Sequence, residues 1–404
     1  MKQILTFLAI FFPFILISQN QIIGKVKDGN GIAISYAHVF LLENQNIGTV
    51  TNEAGEFQFY LYDYHLKDTL VVSMLGFETQ FIPLIKHKDL PVEIILEDSA
   101  VQFNEVVIHS PEYLKYLLIS AIEHVERNYP NDDHQLHGYY YDYTVSDTVV
   151  SEVIEMDVAI NIEGYNSKNI EYDIYNLAMR KSEDNRNLPE RLKGGQNRIF
   201  HVLNSIPFIR KSFKYYNFRK SKKYSEVISD IKSASLEMFN QVVQDGDTLI
   251  TIKYYDNSLM TVKNAKPLLF SLVTVNKSDF AIVKVLYGNV WESENSFNEV
   301  SFRRINGKYF PTYLKLNSQF NFDQKTKYHF NSSNIIIYNS QIDEDYFIKT
   351  KRKQRLKKEI NLRDIRFDQK DEFWKKYSLT RKLSFKDIMQ SNVQRIKKIK
   401  FRSQ

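Results

Sequence analysis

Apolar and polar residues alternate in short runs near the N-terminus of the chain. Within residues 48–59, Val50, Phe57 and Phe59 alternate with threonine, glutamate and glutamine, and this period of two is typical of strands with one buried face. The intervening Asn52-Glu53-Ala54-Gly55 has asparagine first and glycine fourth, as type I turns favour. The pattern therefore predicts a β-hairpin over residues 48–59.

Similar runs flank this segment on both sides. They are rich in β-branched residues and are bounded by glycine, asparagine or aspartate, which punctuate strands. Together they predict about seven short strands, an arrangement typical of an antiparallel β-sandwich. The runs occupy residues 22–26, 37–42, 69–74, 79–82 and 92–96.

The period changes to that of a helix after residue 110. Ser110 is a good N-cap and Pro111 fits the first turn. Apolar residues then recur on one helical face, and Pro130 ends the pattern. We therefore predict an amphipathic helix over residues 111–128. Its apolar stripe consists of Leu114, Leu117, Leu118, Ala121, Ile122 and Val125.

Alternation returns after His137 and continues to about residue 339. Asp245-Gly246 and Asn306-Gly307 lie between alternating runs, and these dipeptides are strong hairpin signals. A helix followed by a long antiparallel meander predicts a curved sheet wrapped around that helix. The predicted strands lie at residues 139–143, 151–162, 236–243, 248–255, 268–275, 280–287, 297–305 and 309–316.

The chain is therefore predicted to be mainly β with some α. An N-terminal seven-stranded β-sandwich is followed by a curved, half-barrel-like antiparallel sheet that packs on a helix. Residues 104–109 predict one further strand, residues 163–223 a partly helical insertion or long loop, and residues 384–399 a helix opened by a capping box. The predicted divisions are a signal peptide (1–18), the sandwich (20–97), a connecting strand or linker (98–110), the helix and meander (111–348) and a basic, partly helical C-terminal segment (349–404).

Residues 1–18 have the pattern of an export signal. One lysine precedes an apolar core, and Ser18 suits a cleavage site, as in a signal peptide; the alternative is an uncleaved N-terminal anchor. The chain has no cysteine, which leaves neither disulfides nor attachment through an acylated cysteine. We expect the protein in the periplasm or at the outer membrane or cell surface, with no further transmembrane helix.

Basic charge is concentrated at the C-terminus. Residues 349–404 carry 20 lysines and arginines against 6 aspartates and glutamates, whereas the whole chain carries 54 against 48. This leaves 34 against 42 for residues 1–348. The C-terminal segment and the basic, aromatic-rich residues 210–223 predict peripheral association with an anionic surface. Ordinary solvated helix faces are the alternative, and no nucleic-acid partner is expected for an exported protein.

Three segments, in this order, resemble the carboxypeptidase-regulatory-like domain, a transthyretin-like sandwich: "GKVKDGNGIAISYAHVFL", "GTVTNEAGEFQF" and "DTLVVSMLGFETQ". The resemblance covers residues 20–97. It implies an accessory module that commonly opens exported proteins and outer-membrane receptors of Gram-negative bacteria, and that carries no peptidase residues of its own. The later "SDFAIVKVLY" and "VSFRRINGKYFPTYLKL" are similar to exported lipoprotein-carrier-like half-barrels and to soluble segments that follow this domain in outer-membrane proteins.

Two short motifs have the spacing of metal ligands. His109 and Glu112 match the His-x-x-Glu of zinc carboxypeptidases, but a catalytic zinc needs three protein ligands and no third is recognisable. A carboxylate in the first turn of a helix is also favoured by the helix dipole, so we assign both residues to the helix start. His134 and His137, beside Asp132-Asp133, are expected in a solvated loop. No catalytic, cofactor-binding or metal-binding residue is predicted.

The sequence contains no Gly-x-Ser-x-Gly elbow, P-loop or dinucleotide fingerprint. We therefore expect no cofactor, and a non-catalytic binding or scaffolding protein of the cell envelope whose partner is a lipid, a glycan or an envelope protein. One alternative is an envelope hydrolase acting on polysaccharide or peptidoglycan, since glycoside hydrolysis needs only two carboxylates. Another is a small outer-membrane β-barrel, which charged residues within the strands disfavour: Lys253, Lys284, Glu299, Arg303 and Lys315.

Overall fold

The computed structural model of the protein describes residues 19–86, 92–98, 109–146, 149–165, 170–181, 198–203, 224–255, 268–290, 294–321 and 328–358, together with Leu362 and Ile365. Within these residues the chain is mainly β with some α, as predicted. The predicted signal peptide, residues 104–108 of the strand predicted at 104–109, the basic residues 210–223 and the helix at 384–399 lie outside the described residues.

The N-terminal part forms two small sheets packed face to face. One has the strand order β4-β1-β7, with β1 antiparallel to β4 and parallel to β7, and the other has the antiparallel order β3-β2-β5-β6. The seven predicted strands are all present: β1 (Gln19–Asp28), β2 (His38–Leu41), β3 (Gly48–Val50), β4 (Glu56–Tyr62), β5 (Thr69–Ser73), β6 (Gln80–Pro83) and β7 (Val92–Leu96). Short 3-10 helices follow β4 (Asp63–Lys67) and β6 (Leu84–Lys86).

The sandwich core is close-packed between these sheets. Val26, Val39 and Phe57 are fully buried in one apolar cluster. The ring of Phe57 lies directly over Gly24, where an added Cβ would come within 2.3 Å of a ring carbon. Glycine in β1 is therefore required by the close approach of the aromatic ring.

The predicted hairpin over residues 48–59 is wrong, although its turn is correct. The amide of Gly55 donates to the carbonyl of Asn52 at 3.0 Å, and Gly55 has φ 75°. However, β3 pairs with β2 while β4 pairs with β1, so the turn carries the chain from one sheet to the other. An alternating pattern specifies strands and a turn, but it does not specify which strands pair.

A helix follows the sandwich, beginning where the sequence predicts. Helix α1 spans Pro111–Glu123, and the Ser110 hydroxyl accepts a hydrogen bond from the Tyr113 amide at 3.3 Å. The helix breaks at His124, and a short helix α2 (Val125–Asn128) completes the predicted segment. The predicted stripe of α1 is buried from Leu114 to Ile122.

The rest of the chain builds one open, antiparallel, ten-stranded sheet. Its order is β10-β9-β8-β17-β16-β15-β14-β13-β12-β11, so the last strand returns to pair with the first. Asp245-Gly246 and Asn306-Gly307 both have positive φ at both positions, as type I′ turns require. The strands are β8 (His134–Ser146), β9 (Val149–Ile162), β10 (Tyr172–Lys181), β11 (Ser235–Gln244), β12 (Asp247–Tyr255), β13 (Leu268–Asn276), β14 (Ile282–Val290), β15 (Glu294–Ile305), β16 (Lys308–Asn321) and β17 (Tyr328–Gln341).

Residues 163–223, predicted as an insertion or loop, contain more regular structure than expected. Strand β10 pairs with β9 along its length, with one bulge between Asn176 and Ala178. Helix α3 (Arg198–Leu203) lies within the same segment, and helix α4 (Tyr224–Ser233), which the sequence did not indicate, follows it. The bulge breaks the strict alternation by which a strand is recognised.

The two faces of the large sheet have different partners. One face, with Leu136, Ile160 and Leu314, joins the stripe of α1 and residues of α3 and α4 in one apolar core. The opposite face carries Tyr139, Tyr141 and Tyr143 of β8, which cluster with Tyr36 and Val50 of the sandwich. The sandwich and the helices therefore lie on opposite faces of the same sheet.

The C-terminal part of the described chain runs along the edge of the sheet. It contains 3-10 turns at Glu344–Tyr346 and Arg352–Gln354. The Leu356 amide donates to the carbonyl of Ile174 in edge strand β10 at 2.7 Å. Among the helices in the described ranges, none has the length and apolar character needed to cross a membrane.

Candidate functional site

Alternation along β2 directs two side chains out of the sandwich towards the large sheet. Val39 and Leu41 are fully buried in the sandwich core, so His38 and Phe40 project from the other face. The Nε2 atom of His38 lies 3.1 Å from the hydroxyl of Thr312 in β16. The guanidinium carbon of Arg303 in β15 lies 3.9 Å from the centre of the Phe40 ring.

A buried ion pair joins the two modules beside this contact. Glu53, at the tip of the turn between β3 and β4, lies 3.6 Å from the ammonium group of Lys315 in β16, and both side chains are almost fully buried. The hydroxyl of Tyr36 donates to Glu53 at 2.6 Å and that of Tyr141 at 3.2 Å. Burial and then the charge of Glu53 hold the pKa of the Tyr141 phenol well above its usual range.

Tyr36 adopts an unusual backbone conformation at this junction. Its φ is 63°, a region that bulky side chains rarely occupy. In this conformation its ring stacks on Tyr313, with 4.2 Å between ring centres, and Lys315 lies over its face. Backbone strain of this kind persists only where surrounding contacts compensate, and here those contacts join the sandwich to the sheet.

A second set of hydrogen bonds closes the contact near the turn between β11 and β12. The side-chain amide of Gln244 donates to the hydroxyl of Ser73 at 2.7 Å. The hydroxyl of Thr79 donates to the carboxylate of Asp245 at 2.9 Å. The sandwich is therefore held on the large sheet at two separated places.

Between these two places lies a cleft of about 240 Å³. The sandwich contributes one wall, and the outer face of strands β12 to β15 contributes the other. Apolar and charged side chains share the lining: Phe40, Met74, Leu75, Leu249, Val283 and Phe302, with Lys284, Glu299, Arg303, Arg304, Asp245 and Asp247.

Several charges of the cleft have polar partners within it. Lys284 lies 3.0 Å from Glu299. Asp247 accepts a hydrogen bond from the amide of Asn276 at 2.9 Å. Asp245 accepts from Thr79, as described above. These side chains are oriented by neighbours in the two modules.

Arg303 differs from the other charges of the cleft. Its Nη2 donates to the backbone carbonyl of Gln45, and its buried Nη1 has no hydrogen-bond partner in the part of the chain that the structure describes. Within the described ranges, no carboxylate forms an ion pair with it. Burial lowers the pKa of Arg303 to about 9, which leaves the guanidinium positively charged at neutral pH.

His38 is held neutral by the same surroundings. Burial, followed by the positive charges of Arg303 and Lys284, lowers the pKa of His38 to about 3. The imidazole therefore contributes hydrogen bonding to Thr312 but no charge at neutral pH.

His109 and Glu112, which have metal-ligand spacing in the sequence, have different surroundings in the structure. His109 Nε2 lies 2.9 Å from the side-chain oxygen of Gln241, and its ring packs on Tyr113 with centres 4.6 Å apart. Glu112 is exposed in the first turn of α1. The described ranges contain no group of three or more histidine, cysteine, aspartate or glutamate side chains that could hold a metal ion.

His134 and His137 lie in strand β8, so the predicted solvated loop is wrong. Three residues apart on a strand, they project to opposite faces. His134 is fully buried against Tyr165 and Phe310, and burial lowers its pKa to about 4. Strand β8 begins at His134, before the tyrosine-rich run at residues 139–143 from which the strand was predicted.

His137 belongs to a polar cluster that the sequence did not indicate. Its Nε2 lies 2.9 Å from Asp157 Oδ1 and 3.0 Å from the hydroxyl of Tyr338, which also donates to Asp157. The three residues come from β8, β9 and β17. Adjacent strands, far apart in sequence, bring them together.

The charged residues within the strands were the one sequence signal for the cleft. Lys284, Glu299 and Arg303 line it, Lys315 forms the ion pair with Glu53, and Lys253 is largely buried. In the sequence these charges disfavour insertion of the strands into a membrane, and in the structure those of the cleft and of the ion pair lie where the sandwich covers the sheet.

The comparisons with known proteins identify the N-terminal module. Residues 22–108 match the family model of the CarboxypepD_reg-like domain. The chain carries a CarboxypepD_reg-like domain. No curated protein sequence matches the chain significantly. The CarboxypepD_reg-like domain thus supplies the sandwich wall of the cleft.

Solved structures match the chain at low similarity. A domain named as an outer-membrane lipoprotein-sorting protein from Vibrio parahaemolyticus is 10% identical with TM-score 0.25, covering 56% of this chain and 94% of that one. A DUF1329 family protein from Desulfovibrio piger is 11% identical with TM-score 0.25, covering 59% and 96%. Lipovitellin is 10% identical with TM-score 0.24, covering 56% and 27%. TM-scores of this size do not establish a shared fold.

Proposed function

We propose that the protein is an exported, non-catalytic binding protein of the bacterial cell envelope, and that the cleft between the CarboxypepD_reg-like domain and the large sheet is its binding site. The observation that carries this proposal is a cleft lined by both modules, with a buried nitrogen of Arg303 that has no hydrogen-bond partner among the described residues. Clefts between modules are common ligand sites. The signal-peptide pattern of residues 1–18 and the CarboxypepD_reg-like domain support the envelope location.

The opposite face of the sheet is a poorer candidate for a ligand site. The apolar stripe of α1, including Leu117, Leu118 and Ala121, is buried against strands of the sheet. The described surface between helix and sheet is therefore packed core. A lipid, glycan or protein partner is better accommodated on the face that carries the sandwich.

A hydrolase acting on polysaccharide or peptidoglycan is the second candidate, because His137 and Asp157 form a His/carboxylate pair. However, both hydrogen-bond to Tyr338. Among the described residues, no serine or threonine forms a hydrogen bond with His137. A nucleophile within reach of the base is the signature of covalent catalysis.

The test combines retention and turnover. Purified full-length protein is mixed with separate lipid, polysaccharide and peptidoglycan fractions of a Gram-negative envelope, and bound masses and released products are measured by mass spectrometry. We expect a retained ligand and no new product. The cleft variant Met74→Trp should lose the ligand, whereas Ile342→Trp, at an exposed position outside the cleft, should keep it. Product formation, or retention that Met74→Trp leaves unchanged, would contradict the proposal.

A further inference from the structure

Arg303 carries a charge that forms no ion pair with a carboxylate among the described residues, although carboxylates line the same cleft. Its guanidinium lies on the Phe40 ring and makes one hydrogen bond, to the carbonyl of Gln45. A buried charge is costly unless it is paired. Arginine can present two parallel N–H groups to a carboxylate. An uncompensated arginine at a cleft wall is therefore suited to an anionic ligand.

The remaining charges of the cleft restrict the charge of that ligand. Lys284, Arg303 and Arg304 are opposed by Glu299, Asp245 and Asp247 in the same lining. Three carboxylates close to the ligand disfavour a group with two negative charges, because like charges repel. A ligand with a single negative charge, bound at Arg303, is therefore favoured over a ligand with two.

The rest of the lining restricts the body of the ligand. Phe40, Met74, Leu75, Leu249 and Val283 are apolar, so they favour hydrocarbon over hydroxyl groups. The volume of about 240 Å³ corresponds to roughly eight water molecules. A small occupant fits this volume.

We propose that the cleft binds a small monocarboxylate with an apolar body, and that Arg303 holds its carboxylate. This inference rests on the proposed function, because it names the ligand class of the same cleft. Displacing the Arg303 side chain from Gln45 by a small movement would let both terminal nitrogens face the carboxylate. The hydrocarbon body would then lie between the sandwich and strands β12 to β14.

Isothermal titration calorimetry of the full-length protein with octanoate tests the inference. We expect saturable binding of one octanoate per chain. Three related compounds serve as controls: octanol lacks the charge, acetate lacks the apolar body, and octyl phosphate carries more than a single charge. Each should bind at least about tenfold more weakly than octanoate. Equal affinity for octanol and octanoate would overturn the role of the charge.

Variants at arginine positions assign the charge to its residue. Arg303→Met keeps an apolar side chain on Phe40 and should weaken octanoate binding by about ten- to a hundredfold. Arg352→Met, which removes an exposed arginine beside edge strand β10, should bind like the wild type. A far-ultraviolet spectrum and the melting temperature of each variant confirm folding, and Arg303→Lys, which retains the charge, should recover part of the affinity.

Three outcomes distinguish a failure of the monocarboxylate inference from a failure of the proposed function. If octanoate does not bind but Met74→Trp still abolishes retention of an envelope ligand, the cleft is a binding site and only the monocarboxylate inference fails. If Arg303→Met binds octanoate like the wild type, Arg303 is not the anion-binding group. If neither octanoate nor any envelope fraction is retained, the proposed function fails as well.

Discussion

The ion pair between Glu53 and Lys315 is the residue-level contact that joins the two modules. Both side chains are shielded from water, and the phenols of Tyr36, Tyr141 and Tyr143 donate to Glu53. Burying such a pair contributes little net stability relative to apolar residues, but removing one partner leaves an uncompensated buried charge. The pair therefore favours one orientation of the sandwich on the sheet.

Lys315→Met should lower the free energy of unfolding by about 3–5 kcal/mol, because it leaves Glu53 charged and buried. In the double variant Glu53→Gln/Lys315→Met the loss should be smaller than the sum of the two single losses. Urea denaturation monitored by circular dichroism measures both quantities.

Lys353→Met removes an exposed lysine and should change stability by less than about 0.5 kcal/mol. Additive single losses would contradict coupling.

His38 makes the domain contact sensitive to acid. Its folded-state pKa of about 3 lies below the unfolded value near 6.5, so between these values the unfolded chain binds a proton that the folded chain excludes. Stability should therefore fall as pH falls below about 6.5. Between pH 7 and pH 5 the loss from this residue is about 2 kcal/mol.

The variant His38→Gln should remove this part of the acid sensitivity. Gln retains a hydrogen-bonding group for Thr312 and does not titrate. The change in the free energy of unfolding between pH 7 and pH 5 is measured in the wild type and in the variant. The two changes are compared because His134 contributes its own loss of stability to both proteins. An identical pH dependence in the two proteins would show that His38 is accessible to protons in the folded state.

At the residue scale the sequence was informative about turns and caps but not about interior charges. Ser110, Gly55 and Asn306-Gly307 have the predicted local roles because each role depends on near neighbours in the chain. Arg303 and Glu53 could not be assigned, because their environment is built by segments more than two hundred residues apart in the chain.

Helix α1 is the element whose prediction and packing agree most fully. Its apolar stripe follows the helical period, and the predicted residues from Leu114 to Ile122 lie in the core shared with the large sheet. Most of the stability of such a helix comes from burying this stripe rather than from intrinsic propensity.

The variant Leu117→Ala should lower the free energy of unfolding by about 2–5 kcal/mol, because it removes a fully buried side chain and leaves a cavity. Tyr116→Ala is the matched control on the next position: Tyr116 is 52% exposed, and its loss should cost less than about 1 kcal/mol. Denaturant unfolding compares the two. Similar losses of unfolding free energy in the two variants would mean that α1 does not bury the predicted face.

At the element scale, strands were predicted well and pairings poorly. Strong alternation and Asp-Gly or Asn-Gly turns identified the hairpins of the meander. The pairing of β17 with β8 and the separation of β3 from β4 into different sheets depend on contacts distant in sequence. Strand β10 was missed because a bulge interrupts its pattern.

At the scale of the whole molecule, the docking of the sandwich creates the candidate site. The family resemblance identified the sandwich as a module but carried no information on where it lies. The sandwich lies on the outer face of the sheet. Charged side chains that would otherwise be solvated therefore line a partly enclosed cleft. A binding function therefore depends on both modules being held together.

The docked arrangement is tested most directly by cross-linking. The chain has no cysteine, so Thr79→Cys and Asp245→Cys, at positions joined by a 2.9 Å hydrogen bond, introduce the only two thiols. With a short thiol-specific cross-linker, the full-length protein should form the intramolecular link rapidly and nearly completely. The control pair Thr79→Cys/Arg352→Cys should not form an intramolecular link at this rate. Equally slow linking of both pairs would contradict the account, because it would show that the sandwich is not held on the sheet.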